Sequence, residues 1–499
     1  MKNKSFNIIF LVSIALLLLS GCSGSESGMY SEKMDEIRSK NTTEATTDED
    51  NKVKNKKVDK SIESSDIDEE KELRGTLTVS TYWDGYMTKR AEEFMELYPN
   101  VKIEVKGSEN NQNASETLEM YGNRIAVELM SGTATDLVDL AKFDIYKQAK
   151  SGLLCDLYKF MDNDKAFDKS DYYTNIFEAM EYNGGLYAMP FAFEYNMLYI
   201  NRKMAEKLDI DLKNLEGLNY IEMMDIYEKA KEKHKDPKNF RIMPGIVKES
   251  FDDYEFPEFY DVEKNKAWFD SQEFLDYLNI TNSIETKYMP DNTGSWDMTR
   301  VSMGNDDFME SKYMFVRLDI NAVDVHNLMI DYDNISEPVP LLNSQNNAMV
   351  NTFFGTYGIP QSSKNKELAW EFLKYCISER EAPESDKHET AYSYFMDYHG
   401  CVPINIKNFY NLYEYQYKID RKNFSDLNIP WKKGNQEKLI KDVLDKVHSW
   451  NLERNKLVSN FELWSLTKKE LDNFYYYDLS TAEETAKIIQ NKVMSYLNE

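Results

Sequence analysis

The sequence predicts an α/β protein whose sheets are mainly parallel and covered by helices on both faces. Two observations carry this. Short apolar runs of period two alternate with longer runs of helical period, and turn residues separate them. The 41% hydrophobic and 13% aromatic content of the 499 residues is enough for sizeable cores. At this length two or three lobes of roughly 100–200 residues are expected.

The elements follow in order. Leu77-Thr78-Val79-Ser80 alternates as a strand. Ala91, Phe94, Met95 and Tyr98 repeat at helical spacing until Pro99-Asn100 stops them, and Val101, Ile103 and Val105 alternate again. A helix is predicted from about Ser115, with Leu118, Tyr121, Ile125 and Leu129 on one face and Gly132 just past its end. Asp136 to Leu140 reads as a third, more buried strand, and a further helix ends at Gly152. Strands that alternate with helices pair in parallel, because each return needs a crossover. Ligands then bind beyond the carboxyl ends of the strands, here near Tyr82-Trp83-Asp84 and just past Leu140.

The first 73 residues are of another kind. Lys2 and Lys4 precede an apolar run from Ile8 to Leu19, which is a signal-peptide core and too short to span a bilayer. It ends in Leu19-Ser20-Gly21-Cys22, which resembles the bacterial lipoprotein box; the resemblance implies removal of residues 1–21 and acylation of Cys22. From there to residue 73 Ser, Thr, Asn, Asp, Glu and Lys dominate. Such a stretch buries too little to offset its ordering entropy and reads as a disordered tether.

Sixty Lys and Arg against 87 Asp and Glu give a net charge of −27. An acidic chain without a basic block is not built for phosphate backbones, so no nucleic-acid partner is expected. Four cysteines without a C-x-x-C pair, and five histidines without H-E-x-x-H, point to no metal and no cofactor. Cys376 falls on an apolar helical face and reads as a core thiol, although a bridge to Cys401 is the alternative. The string Asp162-Asn163-Asp164-Lys165 lacks the glycine and glutamate of a calcium loop and reads as a solvated loop.

Five stretches together resemble the extracellular solute-binding proteins of ABC importers, in particular the carbohydrate-binding, maltose-type branch. They are Leu77 to Val105; Gly132 to Val138 with Ser151-Gly152-Leu153-Leu154; and Gly184 to Phe191 leading into Leu198 to Asn201. The last two are Gly358-Ile359-Pro360 with the helix through Cys376, and the C-terminal helix whose Thr481 and Glu484 form a capping box. The resemblance implies a two-lobe periplasmic-binding-protein-like clamp of type II, hinged by three chain crossings. Lobe one would comprise residues 74–191 and 356–405, and lobe two residues 192–355 and 406–499. The protein would be a monomer, not an enzyme. Held at the outer face of the cell membrane, it would close on a carbohydrate and deliver it to permease subunits.

A sugar needs paired hydroxyl acceptors and flat rings. Asp84 matches a hydroxyl-binding acid of the family and Glu194 a similar acid at the first crossing; the alternative for each is a solvated loop carboxylate. Trp83 shares the first strand exit. Tyr195 and Tyr357 take inter-lobe positions, as does Phe354, with core packing as the alternative. Asp139 and Lys142 follow the third strand. Arg317 and Asp319 fall where lobe two presents side chains, unless they form an internal ion pair. Trp296 and Trp464 are further candidate rings without a fixed place. Leu140 stands where maltodextrin binders carry a stacking Trp, and Gly85 where they carry a Lys, which argues against maltodextrin itself. A surface glycoside hydrolase or glycan-binding adhesin is the competing reading. A hydrolase needs two flanking carboxylates, and no distinctive motif marks such a pair.

Overall fold

A computed structural model describes residues 72–82, 84–107, 116–140, 145–212, 215–243, 246–284, 312–320, 339–348, 350–352, 355–382, 401–412, 414–415, 447 and 461–499. The signal peptide, Cys22 and nearly all of the tether lie outside these residues, as do Trp83, Lys142, Trp296 and Phe354. The chain divides into two compact units, Met1–Glu72 and Leu73–Glu499, and all that follows concerns the second.

That unit opens with β1 (Gly75–Thr81), α1 (Asp84–Leu97), β2 (Val101–Gly107), α2 (Leu118–Ser131), β3 (Leu137–Asp139) and α3 (Ile145–Lys150). Then come β4 (Met189–Pro190), β5 (Ala192–Ile200), β6 (Leu218–Asn219) and α4 (Tyr220–Lys233). The middle of the chain holds α5 (Asp252–Glu255), β7 (Tyr260–Asp261), β8 (Lys266–Ala267), α6 (Gln272–Asn282) and β9 (Phe315–Ile320). β10 (Val339–Leu342), β11 (Val350–Asn351), β12 (Thr356–Gly358), α7 (Lys366–Ile377) and β13 (Val402–Pro403) follow. Helices α8 (Phe461–Tyr475) and α9 (Ala482–Asn498) close the chain.

The first sheet has the order β2-β1-β3-β12-β4. β1 runs parallel to both β2 and β3, and only β12 is antiparallel to its neighbours. Local chemistry sets its helices. Thr117 caps α2 by accepting from Met120 N, and Gly132 ends it at φ 69°, a left-handed turn that glycine adopts without strain. Helix α1 buries Met87, Ala91 and Phe94, one turn apart, with Phe94 5.3 Å from Phe372 of α7. Burying Met87 and Phe94 contributes about 1.5–3 kcal/mol each. Tyr98, on the same predicted face, is instead 37% exposed at the helix end. Asp136 bolts the sheet to the start of α7: it accepts from Thr78 N and Oγ1, Ser363 Oγ and Asn365 Nδ2.

The second sheet has the path β11-β5-β10-β6, with β9 and β13 also on β5. Here the architecture differs from the parallel pattern predicted. β5 is antiparallel to β9, β10, β11 and β13, and only the β10–β6 pair is parallel. The reason is that β5 arrives directly from the first sheet as an extended crossing strand, with no crossover helix to enforce parallel return. The capping box read at Thr481/Glu484 of α9 forms, and the structure adds one at Asn219/Glu222 of α4. α9 packs on the second-sheet side: Gln490 Oε1 accepts from Phe269 N, and its Nε2 donates to Ala267 O.

Candidate functional site

The two sheets are joined around Phe191. Its N–H donates to Gly355 O at 2.8 Å, its carbonyl accepts from Ile404 N at 3.0 Å, and its ring stacks on Tyr357 with centroids 4.9 Å apart. Gly355 has φ 63°, and a Cβ there would sit 3.1 Å from the Phe191 Cβ. One residue further on, β5 begins. Its Phe193 and Glu194 pair with Val402 and Asn351, so the crossing strand touches both the 350–351 and the 402–403 segments. The Cys401 thiol donates to Glu194 Oε1 at 3.4 Å. Burial and the adjacent Glu194 push that thiol up, so it stays a donor at ordinary pH. All three cysteines among the described residues are free and buried, which excludes the Cys376–Cys401 bridge and confirms Cys376 as a core thiol.

At the carboxyl ends of β1 and β3 lies a buried polar network. Asp139 Oδ2 accepts from Thr81 Oγ1 at 3.3 Å and from Tyr82 N at 3.2 Å. The Thr81 hydroxyl also bonds Tyr357 OH at 2.9 Å, and Tyr121 OH donates to Asp139 O at 3.3 Å. Asp139 and Tyr357 are each 2% exposed. Burial pushes the Tyr121 and Tyr357 phenols up, and the Asp139 charge adds to it, so both remain neutral donors. Asp139 and Tyr357 therefore lie beneath the strand ends in this conformation. They hold Tyr82, and with it the turn into α1, whose first residue is Asp84.

On the second sheet the register relates the remaining candidates. Asp319 pairs with Asn196, Arg317 with Leu198, and Tyr195 with both Ile320 and Val350. Alternation puts positions 194, 317 and 319 on one face and position 195 on the other. Arg317 lies opposite Leu198, seven residues along β5 from Phe191, or roughly 23 Å. Its Nη1 donates to Ser250 O at 3.1 Å, and its guanidinium lies 5.8 Å from the Tyr254 ring centroid. The sequence did not single out Ser250 or Tyr254. Behind them Asp252, Glu255 and Glu258 are buried, accepting from Tyr277 OH, Ser344 N and Asn343 Nδ2 respectively. Trp464 on α8 is 38% exposed, with the Lys468 ammonium 5.5 Å from its centroid.

Glu194 stands at the joint between the two sheets, Asp139 and Tyr357 are buried beneath the strand ends, and Arg317 lies farther along β5. Among the described residues no group of His, Cys, Asp and Glu could hold a metal ion, and no described helix is long and apolar enough to cross a membrane.

The profile of the family described as bacterial extracellular solute-binding protein matches residues 78–383, more than half of the chain. No curated protein matches the sequence. Among solved structures, the fold is similar to the sugar-binding protein MalE from Xanthomonas citri, at 13% identity and TM-score 0.53, over 85% of this chain and 98% of that one. It is similar to an ABC substrate-binding protein from Listeria monocytogenes in complex with cycloalternan, at 15% identity and TM-score 0.50, over 85% and 100%. A putative oligosaccharide periplasmic-binding protein from Synechococcus gives 13% identity and TM-score 0.51, over 85% and 99%. At such identities the likeness speaks for the fold, which is the two-lobe clamp. With the profile match and the jointed pair of sheets, the chain belongs to the bacterial extracellular solute-binding protein family.

Proposed function

We propose that this protein is the carbohydrate receptor of an ABC importer, anchored through acylated Cys22 at the outer face of the membrane. A mono- or oligosaccharide is captured between lobe one (74–191 and 356–405) and lobe two (192–355 and 406–499) and handed to the permease subunits. The observation that carries the reading is the joint at Phe191, where two separately sheeted lobes meet through hydrogen-bonded crossing strands. Such a joint lets rigid lobes turn about one axis, and a solute between them favours the closed state through contacts made to both lobes. The sugars and oligosaccharides named for the structural neighbours support the ligand class.

In this reading Trp83, Asp84 and Lys142 supply the first-lobe half of the site, with Asp139 and Tyr357 as its supports. Glu194 and Tyr195 stand at the hinge, Arg317 and Asp319 supply the second-lobe half, and Trp464 is a candidate stacking plane. Hydrogen bonds to a charged group contribute about 1.5–3 kcal/mol, so Asp84→Ala or Glu194→Ala should weaken binding about 10- to 150-fold.

The test is a thermal-shift screen of the purified protein against sugars, peptides and polyamines. A cognate sugar at 100 times its Kd adds about 2.7 kcal/mol. Stabilisation by peptides or polyamines alone would overturn the carbohydrate assignment, and release of a cleaved product would overturn the receptor assignment.

A further inference from the structure

The chain has one Asn-Gly pair, Asn183-Gly184, and the structure sets it apart from other asparagines. Tyr182 N donates to Gly185 O at 2.9 Å and Gly185 N to Tyr182 O at 3.0 Å, which closes a two-residue hairpin. Its central residues have φ 48° and 77°, both left-handed, the conformation that Asn and Gly adopt with least strain. The pair is exposed, and nothing stands within 4 Å of the place a Cβ would take at Gly184. Asn183 donates through its backbone, N to Glu263 Oε1 at 2.7 Å. Among the described residues neither its side-chain amide nor the Gly184 N–H makes a hydrogen bond.

Asparagines elsewhere are held. Asn201 Oδ1 accepts from Met204 N while its Nδ2 donates to Tyr313 O, and Asn219 Oδ1 accepts from Glu222 N. Asn343 Oδ1 accepts from Gln345 N and Asn347 N. All three are buried, and each precedes a residue whose side chain crowds the next peptide nitrogen: Arg202, Tyr220 and Ser344. At Asn183 the electrophilic carbon and the next nitrogen are both unengaged and uncrowded. We propose that Asn183 is a self-modification site, converting to aspartate and isoaspartate with solvent water as the co-reactant. The Gly184 nitrogen gives up its proton to hydroxide and attacks the side-chain carbonyl carbon of Asn183. A carbon–nitrogen bond forms, closing a succinimide ring; the bond to the amide nitrogen breaks, and ammonia leaves with a proton from water. Water then adds to one of the two ring carbonyls. Opening on the side-chain side gives aspartate with the normal backbone, and opening on the backbone side gives isoaspartate, in which the chain runs through Cβ. The net change is one water consumed and one ammonia released, with nothing oxidised or reduced.

Ring closure needs the peptide between residues 183 and 184 to rotate, so it waits on opening of the two Tyr182–Gly185 bonds. The folded protein should therefore convert more slowly than the free peptide of residues 180–188, yet at Asn183 before any other asparagine. Either product places a new carboxylate beside Glu263, and isoaspartate also lengthens the backbone inside a turn closed by only two bonds. That turn leads into β4, which delivers the chain to the joint at Phe191.

The test incubates the purified protein at mildly alkaline and at mildly acidic pH, beside the free 180–188 peptide, with no solute present. Peptide mapping by mass spectrometry and native ion exchange follow the conversion. The fragment holding Asn183 should be the first to gain the mass of an amide-to-acid exchange. It should split into two product peaks, form faster at alkaline pH, and add one negative charge to the native protein. Asn183→Gln, whose longer side chain closes the ring poorly, should keep its amide. Protein carrying isoaspartate should melt below Asn183→Asp, which has the charge and the normal backbone. Asn183 intact in the folded protein after the peptide has converted, or another asparagine converting first, overturns the proposal. Aspartate formed without isoaspartate overturns the succinimide route, and equal melting overturns the loss of the turn.

Discussion

Replacing Asp139 by alanine separates a supporting carboxylate from one that faces the solute. The carboxylate is 2% exposed and accepts from Thr81 Oγ1 at 3.3 Å and Tyr82 N at 3.2 Å. Both bonds are at the long end of the hydrogen-bond range, so the low end of the charge-assisted scale applies, about 1.5 kcal/mol each. Their loss gives about 3 kcal/mol, felt mostly where β1 turns into α1. For a lobe of 150–250 residues that lowers the melting temperature by about 6–12 °C. Asp139→Asn keeps an acceptor of the same shape and should lose roughly half as much. Calorimetry of the ligand-free protein measures the first effect, and a sugar titration measures the second. Affinity should also fall, because the Tyr82-Trp83-Asp84 turn loses its anchor. Wild-type stability combined with abolished binding would refute the argument and put Asp139 on the solute.

Asp164→Asn should cost about 2 kcal/mol at neutral pH, because Asp164 accepts from Lys374 Nζ at 2.6 Å and Trp370 Nε1 at 3.0 Å. Burial pushes this carboxyl up, but the bonds from Lys374, Trp370 and Ala166 N outweigh it and hold it below the usual range. A depressed acid stabilises above its unfolded pKa, so the wild-type advantage should begin to fade as pH falls below about 4 and be lost as pH passes through the lower folded value in urea titrations. Gly355→Ala forces a side chain into φ 63° against Phe191 and should cost about 1–2 kcal/mol in thermal unfolding, more than alanine at ordinary loop glycines. Cys22→Ala should move the protein from membranes to medium or leave it unprocessed in cell fractionation; normal processing with full membrane retention would contradict acylation there.

Lobe one was legible because its signals are local. Alternation at 77–80 and 101–105 and the stop at Gly132 each depend on neighbours within a turn or two. The second sheet was not, since the partners of β5 at 315–320 and 339–342 lie more than a hundred residues on and leave no periodic mark. Asp164 read as a solvated loop residue, yet its carboxylate is 14% exposed under Trp370 and Lys374, which come from a helix much later in the chain. The same limit applies at the site. The apolar run at 136–140 put Asp139 on the third strand, but only three-dimensional neighbours show that Thr81, Tyr82 and Tyr121 bond to it.

The joint at Phe191 has a mechanical consequence. A chain that passes three times between two bodies would, with independent linkers, let them bend, twist and slide. Here the backbone of one residue is bonded on one side to Gly355 and on the other to Ile404. Sliding the Phe191 passage would break both bonds at once and sliding either neighbour would break one, whereas small changes of dihedral angle on either side of the row leave them intact. The relative motion is thereby reduced to about one angular coordinate. An inserted residue in any of the three passages should accordingly disturb the axis as a whole, however far the insertion lies from the solute.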